Sequence, residues 1–364
     1  MSPAALALAL ALSQASGASA RLPPAPVQLW KVAWTRPLVP HSLLEYKPRE
    51  PGGAAIDPQR GNVVLGARDG ILRALSDKGR VLWELKAGGP FEAAPRIEGD
   101  TVYAGCDDGK LYAVEAGTGK LRWSYDAQEE LGTTPAVANG VVYVASLQDT
   151  LFALDAATGA FKWHHRREGK EGFSIRGAGA AAVSNGLVYG VYSDGYVAAL
   201  DAATGAPRWE RRVAPSGDFL DIDSTPQVEG GRVYVAAWSG AVYALDAATG
   251  EAVWEAKVAA PLQLALLQGR LVVVSATRVL ALSPRDGKIF WNAPLEGEPA
   301  GEPVLASGAV AVPVGSAVRW LDPTTGRLVR AFDPGTGVTA RLAVRAGRAY
   351  ALSNGGELVA LDLR

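Results

Sequence analysis

One phrase recurs along this chain and decides what it can fold into: an apolar pair, an acid, Thr-Gly, then Trp. Its clearest copies are Ala199-Leu-Asp-Ala-Ala-Thr-Gly-Ala-Pro-Arg-Trp209 and Tyr243-Ala-Leu-Asp-Ala-Ala-Thr-Gly-Glu-Ala-Val-Trp254. Aligned on the acid, the phrase falls at Ser76, Glu115, Asp155, Asp201, Asp246, Ser283, Asp322 and Asp362, at intervals of 37–46 residues. Eight units therefore follow one another. A unit this small cannot bury its own apolar face and must stack on its neighbours.

Within each unit, short alternating runs of Val, Tyr and Leu are separated by tight-turn pairs such as Asn139-Gly140, Asn185-Gly186 and Gly230-Gly231. Alternation of this kind, punctuated by turn residues, predicts strands joined as hairpins. Four short antiparallel strands in about 40 residues make a β-propeller blade. The expected fold class is all-β, an eight-bladed propeller of four-stranded antiparallel blades. The eighth unit stops at Ala360-Leu-Asp-Leu-Arg364, before its Trp-bearing outer strand, and Leu29-Trp-Lys-Val-Ala-Trp34 has the pattern of that missing strand. Closing the last blade with the N-terminal strand removes an open sheet edge at the seam.

The chain is divided accordingly. Residues 1–20 hold the apolar run Ala4-Ala-Leu-Ala-Leu-Ala-Leu-Ala-Leu12 and an Ala18-Ser-Ala20 cleavage pattern, which together predict an export signal cut before Arg21. Residues 21–28 are a Pro-rich linker, and 29–364 form one propeller domain. The 37 acids and 36 bases leave a net charge of −1, which provides no field for nucleic acid or an anionic membrane.

Chemistry-bearing residues are sparse. The one cysteine, Cys106, cannot form an internal disulfide and sits at a repeat position, which predicts a buried thiol and not a nucleophile. His164-His165 and Arg166-Arg167 fall on an outer strand and read as solvated polar residues. Asp155, Asp201 and Asp246 occupy turn positions where a carboxylate caps backbone donors. The spacing of Asp218, Asp221 and Asp223 matches no EF-hand loop. No catalytic constellation, cofactor site or metal site is expected.

What breaks the repeat carries more information. From the unit's Trp to the next hairpin turn, the count is 14–16 residues after Trp83, Trp123, Trp254 and Trp291. It is 22 from Trp163 to Asn185 and 21 from Trp209 to Gly230. Two consecutive inter-blade connections are thus lengthened on one face, the usual place for a repeat protein to build a binding surface. The first contains Phe173-Ser-Ile175-Arg176-Gly177, and the second contains Asp221-Ile-Asp223-Ser-Thr-Pro226. Apolar anchors flanked by opposite charges describe a protein-binding patch.

Two resemblances follow. The Thr-Gly-x-x-x-Trp phrase resembles the tryptophan-docking motif of pyrroloquinoline-quinone dehydrogenase propellers, in which Gly makes a turn and Trp packs across to the next blade. The two loop motifs, in this order, resemble those of the outer-membrane assembly factor BamB family, extending over essentially the whole propeller. That resemblance implies a non-catalytic periplasmic scaffold in outer-membrane β-barrel assembly, with no cofactor. It further implies docking of the periplasmic domains of the BamA-type barrel-forming subunit through Phe173, Ile175, Arg176, Asp221 and Asp223, with unfolded outer-membrane precursors as further partners. A monomer within a hetero-complex is expected, without a transmembrane span. Members of the family typically carry a lipid-accepting Cys after the signal; Ala20-Arg21 departs from this, so association with the outer membrane through partners is expected. The alternative reading is a quinone- or ligand-binding propeller, a sensor or the remnant of a quinone-dependent dehydrogenase.

Overall fold

The turns named above fix the strand ends. In the Asp-x-x-Thr-Gly turns, Asp201 Oδ1 accepts the backbone N–H groups of Ala203 and Thr204, both at 3.1 Å. Asp155, Asp246 and Asp322 do the same in their own units. The chain then reverses through a glycine with positive φ, Gly205 at +74° in this turn. Repetition of this turn converts the sequence period into a stack of identical sheets.

A computed structural model describes residues 29–40, 48–167, 179–214, 220–298 and 301–364. Among the described residues, the strands form eight four-stranded antiparallel sheets arranged as a propeller. Blades 1 to 7 take their strands in sequence order and span residues 54–86, 96–126, 136–166, 182–212, 227–257, 261–294 and 304–332. Blade 8 comprises Ala343–Arg345, Arg348–Leu352 and Glu357–Leu363, with Trp30–Pro37 as its outer strand. The eight-bladed all-β expectation holds, including closure by the N-terminal strand.

That strand repeats the register of every other outer strand. In blade 3, Trp163 lies opposite Ala153, and a bulge follows between Ala153 and Leu154. In blade 8, Trp34 lies opposite Ala360, and the bulge falls between Val32 and Trp34. The bulge turns the Trp ring toward the next blade.

The core is distributed around the ring as eight apolar clusters, one per blade interface. Between blades 1 and 2, for example, Leu72, Ala74 and Trp83 pack on Val102, Tyr112 and Val114. The indole N–H of Trp163 donates to the Ala202 carbonyl of blade 4 at 3.2 Å, and Gly205 lies beneath the ring. Equivalent bonds join Trp83, Trp123, Trp209, Trp254 and Trp291 to the following blades. These residues hold blade to blade, as the repeat implied. Cys106 is fully buried in the interface of blades 1 and 2, where burial pushes its thiol up to about 12.

Blade 7 departs from the pattern. Arg330 stands opposite Trp320, where the other outer strands place Trp. Its guanidinium lies 4.0 Å from the ring centroid of Trp30, which also contacts Trp320 and Phe332. The N-terminal strand therefore contributes to two blade interfaces: Trp30 packs toward blade 7, and Trp34 toward blade 1.

Candidate functional site

In a four-stranded blade, the inter-blade connections and the turns between the second and third strands emerge on one face. The Trp-bearing turns emerge on the other. The described parts of the two lengthened connections, residues 167 and 179–181 of the first and 213–214 and 220–226 of the second, therefore lie on the same face, beside the turn of blade 4 from Tyr192 to Tyr196. Phe173, Ile175 and Arg176 fall outside the described residues.

The second connection is anchored from below. Leu220 and Ile222 are buried with Val213 and Ala214 in the interface of blades 4 and 5. Ser224 is fully buried, and its Oγ accepts the Ala236 N–H at 3.0 Å. The Asp221 carbonyl accepts the Trp238 N–H at 3.1 Å. The two carboxylates of this irregular segment are placed differently. Asp221 is only 3% exposed, whereas Asp223 is half-buried and lines the axial cavity with Thr225 and Gln227. This cavity, about 690 Å³, runs along the innermost strands and mixes charges such as Glu92, Arg96, Glu302 and Arg341.

The stems of the two connections meet. A Cβ built on Gly179, at the end of the first connection, would lie 2.8 Å from the carbonyl oxygen of Ser224 in the second. It would also come within 2.4 Å of Val191. Glycine is thus required there by the closeness of two backbones. The described ends of the two connections are thus in contact at Gly179 and Ser224, while the first motif itself lies outside the described residues.

A second group borders the same loops and differs from its expected role. Arg167 leaves blade 3 with its Nε donating to Asp194 at 2.9 Å and Nη1 to Glu210 at 2.6 Å, both on blade 4. Its guanidinium stacks 3.6 Å from the centroid of the Tyr196 ring. His165 sits between the Tyr192 hydroxyl, 2.7 Å from Nδ1, and Glu210, 3.3 Å from Nε2. Burial holds this imidazole below its ordinary range, Glu210 opposing and Arg167 adding to the shift. A neutral ring with its proton on Nε2 satisfies both neighbours.

His164 and Arg166 are exposed as expected, but His165 and Arg167 turn inward and join two blades. The signal was present as a break in the repeat. Four residues after the Trp, other blades carry Ala87, Ala127, Val213, Val258 and Leu295, whereas blade 3 carries Arg167.

On the same face, the turn of blade 2 and the connections beside it gather acids. Burial pushes the Asp107 carboxyl up to about 6, with Glu92, Glu130 and Asp108 adding like-charge repulsion. Among the described residues no group of three or more His, Cys, Asp or Glu side chains is arranged to hold a metal ion.

The sequence matches the family of the outer membrane protein assembly factor BamB over residues 68–293, a span that contains both long connections. The chain belongs to that family. Among solved structures, BamB from Moraxella catarrhalis is 24% identical with a TM-score of 0.78, covering 92% of this chain and 100% of its own. The computationally designed Ika8 protein is 19% identical with a TM-score of 0.72, covering 90% of this chain and 100% of its own. A europium-containing methanol dehydrogenase is 12% identical with a TM-score of 0.74, covering 92% of this chain and 93% of its own. At these identities the structural likenesses establish the shared propeller. Among curated proteins, none matches the sequence.

Proposed function

We propose that this BamB-family propeller is a non-catalytic, exported scaffold in outer-membrane β-barrel assembly. It docks the barrel-forming, BamA-type subunit through its two adjacent long connections. The observation that carries the reading is the packing of the two stems at Gly179 and Ser224 inside the segment that matches the family. A ring that displays two loops on packed stems does the work of a docking scaffold.

Phe173 and Ile175 supply apolar anchors and Arg176 a charge that pairs with carboxylates. Asp223 is the more accessible acid, while Asp221 lies deeper and is reached by a partner group that enters the loop. A buried, hydrogen-bonded charge contact of this kind contributes on the order of 2–5 kcal/mol when one member is truncated. Residues 1–20 act as the export signal. Among the described residues, no helix is long and apolar enough to cross a membrane.

The test is direct binding to the purified periplasmic domains of the BamA-type subunit. Asp223→Asn and Arg176→Ala should weaken capture at least tenfold in proteins whose circular dichroism and melting are unchanged. Glu130→Lys, on an ordinary connection, should not. Folded variants that bind as the parent does would remove these loops from the interface. A quinone-binding role makes a different prediction, an absorbing complex on addition of the quinone with Ca²⁺, and this scaffold should give none.

A further inference from the structure

We infer that Arg167 is the positioning residue of the docking face, a clamp that sets the two long connections relative to each other. This rests on the docking role proposed above. Its members come from three places: the end of blade 3 (Arg167), the turn of blade 4 (Asp194 and Tyr196) and the outer strand of blade 4 (Glu210). Arg167 is the first residue of the first connection, and the strand carrying Glu210 runs directly into the second. One guanidinium thus fixes the roots of both.

Two independent departures from the repeat converge on this joint. The first is Arg167 itself, at a position that is apolar in the neighbouring blades. The second is Asp149, in the turn of blade 3, at a site held by Gly70, Gly109, Gly195 and Gly240 elsewhere. Asp149 adopts φ +61°, a conformation that favours glycine. Its carboxylate accepts the Ser193 N–H at 3.2 Å and the Ser193 hydroxyl, again crossing to the turn of blade 4. The lengthened connections begin at the joint where the repeat departs twice.

Stability alone does not explain the exchange. An apolar residue at position 167 would seal the interface as it does in the other blades, whereas a buried charge cluster must offset desolvation before it stabilises anything. What a two-pronged guanidinium stacked on an aromatic ring adds is direction. The clamp permits one relative placement of blades 3 and 4, and hence of the loop stems.

The test uses the full mature chain. Arg167→Met should weaken binding of the BamA-type periplasmic domains at least fivefold, measured well below the melting temperature. Glu210→Gln, close in shape, should do the same, and the double variant should lose no more than the worse single, since both break one device. Arg208→Met, removing an ion pair to Asp201 at the opposite end of the same strand, is the control and should leave affinity unchanged. In the free protein, amide exchange at Val213 and Ala214, whose N–H groups bond to Gly195, should accelerate in Arg167→Met and not in Arg208→Met. A role in stability only would lower melting without changing affinity or this exchange, and that result would overturn the inference. Should the parent protein itself fail to bind, the docking role falls, and unchanged exchange at these two amides would separately dismiss the clamp.

Discussion

Trp34 donates its indole N–H to the Asp77 carbonyl, 2.7 Å away, and so ties the N-terminal strand of blade 8 to the last turn of blade 1. Gly79 lies beneath the same ring, so the contact repeats the Trp–turn joint found between the other blades. The two partners are 43 residues apart in the chain, yet the bond closes a ring whose other joints follow the sequence order.

Removing that joint should open the seam. Trp34→Ala forfeits ring burial and a hydrogen bond, a loss of about 2 kcal/mol for a half-buried Trp, and the melting temperature should fall by a few degrees. Deletion of residues 21–36 also removes Trp30 from its contact with Arg330 and should destabilise further. Calorimetry of both variants checks this; melting like that of the parent would show that the seam contributes nothing.

Two turn glycines separate two effects. Gly186 and Gly205 have nearly the same φ, +76° and +74°. An added Cβ at Gly186 meets open space, but at Gly205 it lies 2.6 Å from the Trp163 ring. Gly186→Ala should therefore cost about 1–2 kcal/mol for the left-handed backbone alone. Gly205→Ala should add a further 1–3 kcal/mol for overpacking. Chemical denaturation of the two variants measures the difference, and equal losses would mean the Trp yields freely.

A pH dependence is centred on Glu50, fully buried on the segment between blades 8 and 1. Its carboxyl accepts the Arg68 N–H at 2.9 Å, its own N–H donates to Asn354, and Thr339 donates to its carbonyl. Burial raises its pKa from the ordinary 4.5 to about 7, despite the bonds from Arg68 and Gly52 that favour the carboxylate. Between these values the unfolded chain releases a proton that the folded protein retains. Stability from this group therefore declines as pH rises from 4.5 to 7, and the whole penalty, on the order of 3 kcal/mol, is present above that window. Glu50→Gln should flatten this part of the stability profile and raise stability at pH 8, as read by urea denaturation across pH.

Cys106 should be inert in the folded ring. Its thiol is fully buried and held up to about 12, so little reactive thiolate forms at neutral pH. A disulfide reagent should label it promptly in denaturant and, in the native protein, only as fast as the interface of blades 1 and 2 opens. Immediate native labelling would contradict this burial.

Much of this protein was legible in one dimension because its code is local. Asp201, Thr204 and Gly205 make a turn from adjacent residues, and the same turn repeated about every 40 residues specifies blades whatever surrounds them. The lengths of the two connections, and the motifs they carry, are likewise plain in the sequence. Depth and partnership are not. Asp221 and Asp223 stand two apart and read alike, yet only packing against blade 5 buries the first and leaves the second at the axis.

The sequence by itself thus determined the number of blades, the closure of the ring and the face to inspect. Each follows from periodicity and from near-neighbour turn chemistry. Only the tertiary structure decided that His165 and Arg167 turn inward while His164 and Arg166 face solvent. The reason is that their partners, Tyr192, Asp194 and Glu210, belong to the next blade, and a contact between blades depends on how two sheets are placed, which no local pattern records.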